Sequence, residues 1–555
     1  MAFQISPGVN ISEVDLTTVV PSVATTVGGL AGDFAWGPVE EVYNISNEIR
    51  LVETFGKPTS NTFGHFYTAA NFLSYGSNLR VVRAANTGTL NATTSNVGIQ
   101  IKNSTDYETN HSSGSGNDDF VAKWPGTLGN SLGVSIADGN TFTGWAFANT
   151  FDSTANTSSY VADRNGSYDE LHIVVYDTNG NISGAANTVL ERFGYVSKAS
   201  DAKNSDGSSN YYKDVINERS KYIWWTKHNS DGTNWGTTAA NKSFARMTAA
   251  DTFALAGGTS TAPSTGDLQT AYSKFSNADS VDVSLIMTGP TTGSTLVNHV
   301  IGIAESRKDC LVFVSPQKSD VVDNSGSETS SILSTRANYT SSSYVVMDSG
   351  WKYQYDKYND VYRWIPLNGD IAGLTVRTDV ERDPWFSPAG FNRGVIKNVV
   401  KLAWNPGQSN RDDLYKVGVN PVVTFPGEGT VLYGDKTLLS RPSAFDRINV
   451  RRLFIVLEKS IAKAARSSMF EFNDEFTRAQ FVNLVEPFLR DVQGRRGVYD
   501  FRVVCDSTNN TPEIIDRNEF VGDIYIKPSR SINFIQLNFI AVRTGVSFQE
   551  VVGQF

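Results

Sequence analysis

Hydrophobic positions change their period several times along this chain, and each change marks a change of element. The clearest helical period lies near the C-terminus. Val450, Leu453, Phe454, Leu457, Ile461, Ala464, Ala465 and Ser468 recur at steps of three and four, which predicts one helix with a single apolar face. Arg451, Arg452, Glu458, Lys459, Lys463 and Arg466 then fall on the rest of its surface. A second helix follows, with Asn473 as N-cap and Asp474 and Glu475 in its first turn. Its apolar residues are Phe481, Val482, Val485, Phe488, Leu489 and Val492. Pro487 should kink it and Gly494 should stop it. The period then falls to two. GVYDFRVVCD, FVGDIYI and FIQLNFIAV predict strands. Phe520, Gly522, Ile524 and Ile526 share a face in one of these, and Ile535, Leu537, Phe539 and Ala541 in another. Residues 441–555 therefore form an α+β module of two helices on a small sheet, ending in a C-terminal arm.

The N-terminus also alternates. Phe3, Ile5, Val9 and Ile11 share one parity, and Pro7, which cannot donate to a ladder, gives the segment an edge character. Residues 1–22 are either a first strand of their own domain or an arm that pairs with a neighbouring subunit. From residue 23 to 86 the order is strand, helix, helix, strand, which is part of an α/β layer. After Asn86 the pattern breaks up: Asn, Ser, Thr, Gly and Asp dominate, with DTNGN, NSDGSSN and NSDGTNW as turn clusters between short strands such as LHIVVYD. Residues 87–256 thus form a β-rich insertion, expected to face outward. From 257 to 440 the α/β pattern returns, and the order of strand VDVSLIMTGP, helix TLVNHVIGIAESR and strand CLVFVSP favours parallel pairing. The fold class is multidomain: a discontinuous mixed α/β frame (23–86 plus 257–440), the β-rich insertion, and the C-terminal α+β module.

Composition narrows the functional classes. With 555 residues, 40% hydrophobic and 19% charged, the chain can bury several cores. A net charge of -9 argues against general nucleic-acid binding. No apolar run approaches the ~18 residues of a membrane span. No Lys or Arg precedes Arg50, so the basic region of a secretory signal is missing and the sequons at Asn91, Asn165 and Asn181 are expected to be unused. Cys310 and Cys505, each in an apolar run, are expected to be buried thiols in a reducing cytoplasm.

Candidate chemistry is sparse. Gly429 to Thr437 approaches a phosphate loop, but Asp435 intervenes before Lys436 and Pro442 interrupts the helix such a loop requires. His65, His111, His172, His228 and His299 show no metal-pair spacing, and His299 has no triad partner in sequence. DTNGN at Asp177 lacks a calcium loop's last acidic ligand, so a hairpin turn is expected. Trp145, Trp224, Trp225 and Trp235 fit core packing better than a carbohydrate-binding face. No enzyme activity and no cofactor are expected. What stands out is basic: Arg451, Arg452, Lys459, Lys463 and Arg466 on one predicted helix of an acidic chain are either a solvated face or a docking surface for an acidic partner.

The run GVNPVVTFPGEGTVLYGDKTLLSRPSAFDRINVRRLFIVLEKSI (Gly418 to Ile461) and AGLTVRTDVERDPWFSPAG (Ala372 to Gly390) resemble the contractile tail sheath proteins of bacteriophages. SPGV (Ser6 to Val9), GDFAWGP (Gly32 to Pro38) and FLSYGSNLRVVRA (Phe72 to Ala84) resemble the T-even-type myovirus branch of that family. Residues 86–256 add nothing to the resemblance. The resemblance implies a structural subunit, stacked with itself in hexameric rings around a tail tube, with baseplate and tail terminator proteins at the ends. It implies assembly in the host cytoplasm into a virion tail that contracts to drive the tube through the host envelope. It further implies that the C-terminal module lies innermost, so that the five basic residues face the tube. Arms bearing Phe3, Ile5, Val9 and Ile11 at one end and Ile535, Leu537 and Phe539 at the other would link neighbours. The competing reading is a static tail-fibre or adhesin-like surface binder.

Overall fold

The computed structural model describes residues 23–114, 116, 118–533 and 536. Both expected arms, with Phe3, Ile5, Val9, Ile11, Ile535, Leu537 and Phe539, lie outside the described residues.

In chain order the first segment supplies β1 (Gly28–Gly32), β2 (Val42–Ile45), α1 (Glu48–Phe55), α2 (Phe63–Leu73) and β3 (Leu79–Arg83). The turn-rich stretch supplies β4 (Phe120–Ala122), β5 (Leu132–Ala137), β6 (Glu170–Asp177), β7 (Thr188–Ser197), β8 (Ile223–Trp225) and β9 (Asp251–Ala254). The chain continues with α3 (Thr265–Ser273), β10 (Leu285–Met287), α4 (Ser294–Arg307), β11 (Leu311–Val314), α5 (Glu328–Ala337) and β12 (Val345–Asp348). Then come β13 (Trp351–Asp356), β14 (Val361–Pro366), α6 (Asn368–Glu381), β15 (Lys401–Leu402), β16 (Val419–Asn420), β17 (Val422–Phe425) and β18 (Gly429–Leu432). The last quarter is α7 (Ile448–Ala465), α8 (Glu475–Gly494), β19 (Val498–Val504) and β20 (Asp523–Pro528).

Strands from both sides of the insertion share one seven-stranded sheet, in the order β16-β12-β11-β10-β1-β3-β2. All its pairs are parallel except β2 with β3. Strands such as LVFV and VVMD are apolar on both faces because helices cover both. Val312 and Val314 point into one core with α3, α4 and α5, whereas Leu311 and Phe313 point into a second with α1, α2 and α6. The insertion is separate: antiparallel β7-β6-β5-β9 and the pair β4–β8 enclose their own core, and the helices Ser104–Asn110 and Tyr212–Arg219 there have no counterpart in the expected pattern. Bridges Leu90↔Thr259 and Thr93↔Ala256 bring its entry and exit side by side.

The C-terminal module departs from expectation in detail. The α7 helix has two buried sides, not one. Ile448 and Ile455 pack into the frame core, while Leu453, Leu457 and Ile461 pack with Phe481, Val485 and Leu489 of α8. Asp474, not Asn473, caps α8, accepting from Thr477 N at 2.8 Å; Asn473 instead donates its side-chain amide to Glu519 O at 2.8 Å. The helix runs through Pro487, because Asn483, whose carbonyl loses its donor, is exposed to water. It ends at Gly494, as its sequence predicts. The β20 strand begins only at Asp523. Phe520 lies before it and packs edge-on against Phe481 at 5.4 Å, while Ile524 and Ile526 reach the module core.

Candidate interaction surfaces

In an open parallel sheet a ligand sits where the strand order reverses, at the carboxyl ends of the strands. Here that point lies between β1 and β10, and a side chain fills it. A Cβ at Gly32 would collide with the His65 ring, and one at Gly289 would stand 3.0 Å from it. Burial pushes the His65 imidazole down to about 4, so it is neutral at pH 7. The polar groups nearby bind one another. Ser315 Oγ donates to Asp348 at 2.7 Å, and Asn368 Nδ2 donates to Gly289 O at 2.9 Å. Burial pushes the Asp348 carboxyl up to about 8.

The other chemical candidates resolve the same way. Lys436 Nζ donates to Tyr415 O at 2.8 Å and Asp435 pairs with Arg447 at 3.1 Å, so both charges of the phosphate-loop-like run are engaged. Asp177 caps the β6–β7 hairpin by accepting from Gly180 N, Ile182 N and Ser183 N. His299 does meet a serine, Ser273 Oγ at 3.0 Å, but that hydroxyl also donates to Gln269 O at 2.8 Å within its own helix turn. Among the described residues no acidic, histidine and cysteine side chains gather into a metal site. Trp145, Trp224, Trp225 and Trp235 are buried; Trp224 stacks on Tyr107 at 4.3 Å. A carbohydrate face built on them is not there. Cys310 and Cys505 are free and buried, and burial pushes the Cys310 thiol up to about 12.

The basic helix engages most of its cations within its own chain. Arg451 and Arg452 are each only 4% exposed, so neither lies on the outer surface of this chain. Arg452 pairs with buried Asp379 of α6 through both amino groups, its Nη2 at 2.6 Å. Arg451 lies over the rings of Tyr344 and Phe445 at 4.5 and 4.4 Å and reaches Glu458 at 3.4 Å. Lys459 pairs with Asp282, and Asp309 stands at 4.0 Å. Arg466 pairs with Asp279 at 3.4 Å, both ends well exposed, and Lys463 is exposed. The physical cause is the second apolar side of α7: with α8 on one flank and the frame on the other, the intervening cations must enter the seam. The sequence showed the cations but not the partners of Arg452, Lys459 and Arg466, which lie 73 to 187 residues upstream.

Two other features of the module are exposed. The β19–β20 ribbon pairs only with itself among the described residues, leaving two strand edges open. Between α7 and α8 and in the first turn of α8, Met469, Phe470, Phe472 and Phe476 project outward.

Comparison with known proteins adds the context. Residues 25–84 match the model described as Tail sheath protein Gp18 domain III N-terminal region, 261–438 the phage tail sheath protein central domain, and 440–541 the phage tail sheath C-terminal domain. The tail sheath protein of Enterobacteria phage T4 is 35% identical across 99% of each chain. That of Vibrio phage KVP40 is 33% identical across 99% of this chain and 100% of its own. Among solved structures, a sheath tail protein from Listeria innocua superposes with a TM-score of 0.54 at 10% identity, covering 92% of this chain and 97% of that one. The sheath complex of an extracellular contractile injection system, in its contracted state, gives 0.52 at 13% identity, covering 97% and 98%.

Proposed function

The chain belongs to the phage tail sheath family, and from that premise we propose that it polymerises around a tail tube and contracts to drive the tube through the host envelope. The observation that carries this reading is the end-to-end similarity to the T4 tail sheath protein, 35% identity over 99% of both chains. Copies assemble in the host cytoplasm as stacked hexameric rings. Baseplate and terminator proteins bound the stack, and neither nucleic acid nor a membrane is engaged directly. Contacts between copies are heterologous, as an open helical array requires. The extended sheath is held in a kinetic trap, and contraction releases it by rigid-body rotation of subunits without nucleotide hydrolysis.

The open edges of β19 and β20 take strands from neighbours, supplied by the arms at residues 1–22 and beyond Asn533. Backbone pairing of that kind survives reorientation of the bodies it joins. Of the five cations, Lys463 and Arg466 keep the exposure a tube contact needs. Residues 87–256 face outward, so a chain in which a short linker replaces them should still polymerise; one that folds but never forms tubes contradicts that placement.

Electron microscopy of the purified full-length chain tests the whole reading. Long striated tubes are expected. Uniform monomers or compact trimers under every assembly condition would contradict it and return the static surface binder.

A further inference from the structure

The exposed apolar residues from the end of α7 to the first turn of α8 are concentrated and specific in their surroundings. Phe470 is fully exposed, Phe472 84% and Phe476 68%, within a run of seven residues. Isolated exposed apolar residues are ordinary, but several bulky ones together mark a contact surface. The charge around them is mainly negative. Glu471, Asp474 and Glu475 interleave with the aromatics. The connection from β19 to β20 adds Glu513, Asp516 and Glu519, held at this end of the module by Asn473 Nδ2 on Glu519 O and by the Phe481–Phe520 ring contact. The cations there are already committed: Arg478 donates to Asn473 O, and Arg517 pairs with Glu519 at 2.9 Å.

The far end of α8 is the opposite. Its 20 residues span about 30 Å. Arg490, Arg495 and Arg496 crowd the last turns, and Lys527 and Arg530 join them because β20 returns antiparallel to β19 at this end. Pairs with Glu486, Asp491 and Asp500 at 3.3 to 3.4 Å, and the pair of Arg495 with Asp383, offset much of this charge. Arg496 and Arg530 remain exposed.

We propose that these two ends are complementary halves of one head-to-tail contact, in which the acidic aromatic end of one copy docks on the basic end of the next. Two unlike patches separated along one rigid helix generate an open, non-closing or ring-closing series rather than an isologous dimer. The aromatics supply the desolvated centre, and the opposite charges steer encounter and set polarity. This rests on the self-assembly reading above and specifies an interface in addition to the arms.

The test uses full-length protein, with tube formation followed by light scattering and electron microscopy. E471K/E475K/D516K and R490E/R496E/R530E each should raise the critical concentration for tubes by about tenfold or more. The six-fold chain carrying both sets should recover assembly, because complementarity is restored with reversed sign. Circular dichroism of each chain should match wild type. Either triple variant assembling like wild type overturns the contact, as does a natively folded six-fold chain that stays monomeric. Variants that self-assemble normally but fail only on isolated tail tubes would assign the patch to the tube and also overturn it. A wild-type chain that makes no tubes removes the sheath reading and this contact together, whereas normal wild-type tubes with unaffected variants remove only the contact.

Discussion

Helices α7 and α8 follow one another in the chain and share one core, yet they place their charges in opposite ways. The α7 helix is covered on two sides, so Arg451, Arg452 and Lys459 are drawn into the seam with the frame and paired there. The α8 helix is covered on one side, so its charges stay outside and collect at its two ends. A cationic run on a helix is therefore not a surface by default. What lies against the second flank decides whether it binds another molecule or its own chain. In this protein Arg452 and Lys459 of α7 bolt the C-terminal module to the frame.

The largest expected effect is at that bolt. Arg452→Met leaves Asp379, itself 4% exposed at the side chain, as a buried carboxylate without a partner. Urea unfolding should show a loss of about 3–5 kcal/mol. Adding Asp379→Leu should recover most of it, as expected for directly coupled sites. A loss below about 1 kcal/mol would mean the seam is wet and the contrast with α8 is false.

Acid gives the next test. The His65 imidazole is held near 4 in the fold against an ordinary 6.5, so it is neutral when folded and takes up a proton on unfolding. A depressed base contributes stability that is complete above pH 6.5 and is lost as pH falls towards 4. His65→Gln should flatten that window in a pH series of unfolding. Reversing exposed Glu475 or Arg496 should leave it unchanged; a shift there would place those residues in the interior. The smallest effects compare two lysines on α7. Lys459→Ala should cost up to about 1 kcal/mol, since its pair with Asp282 is partly exposed. Lys463→Ala should stay within about 0.5 kcal/mol.

Much of this was legible in the sequence because local pattern and burial agreed. The strands of the frame are short continuous apolar runs, and the helices between them repeat at three and four. The resemblance of Gly418 to Ile461 pointed to the right family. What was hidden is what depends on distant partners. Nothing near Arg452 announces Asp379. Nothing near His65 says that Gly32 and Gly289 leave room for its ring. The one-residue error at the α8 cap arises because Asn473 and Asp474 are both good caps, and the Asn473 side chain is taken by Arg478, Asn510 and Glu519. The aromatic run Met469 to Phe476 was readable as it stands: four large apolar residues interleaved with acids fit neither helix face nor turn.

Hydrogen exchange read by mass spectrometry on monomer and assembled tubes tests the central claim most directly. Peptides covering Ile448–Ala465 should be protected already in the monomer and change little on assembly, because their partners are internal. Peptides covering 469–476 and 490–497 should exchange freely in the monomer and slow markedly in tubes. Protection that appears on α7 only after assembly, with both ends of α8 unchanged, would contradict the account and return the basic helix to the outer surface.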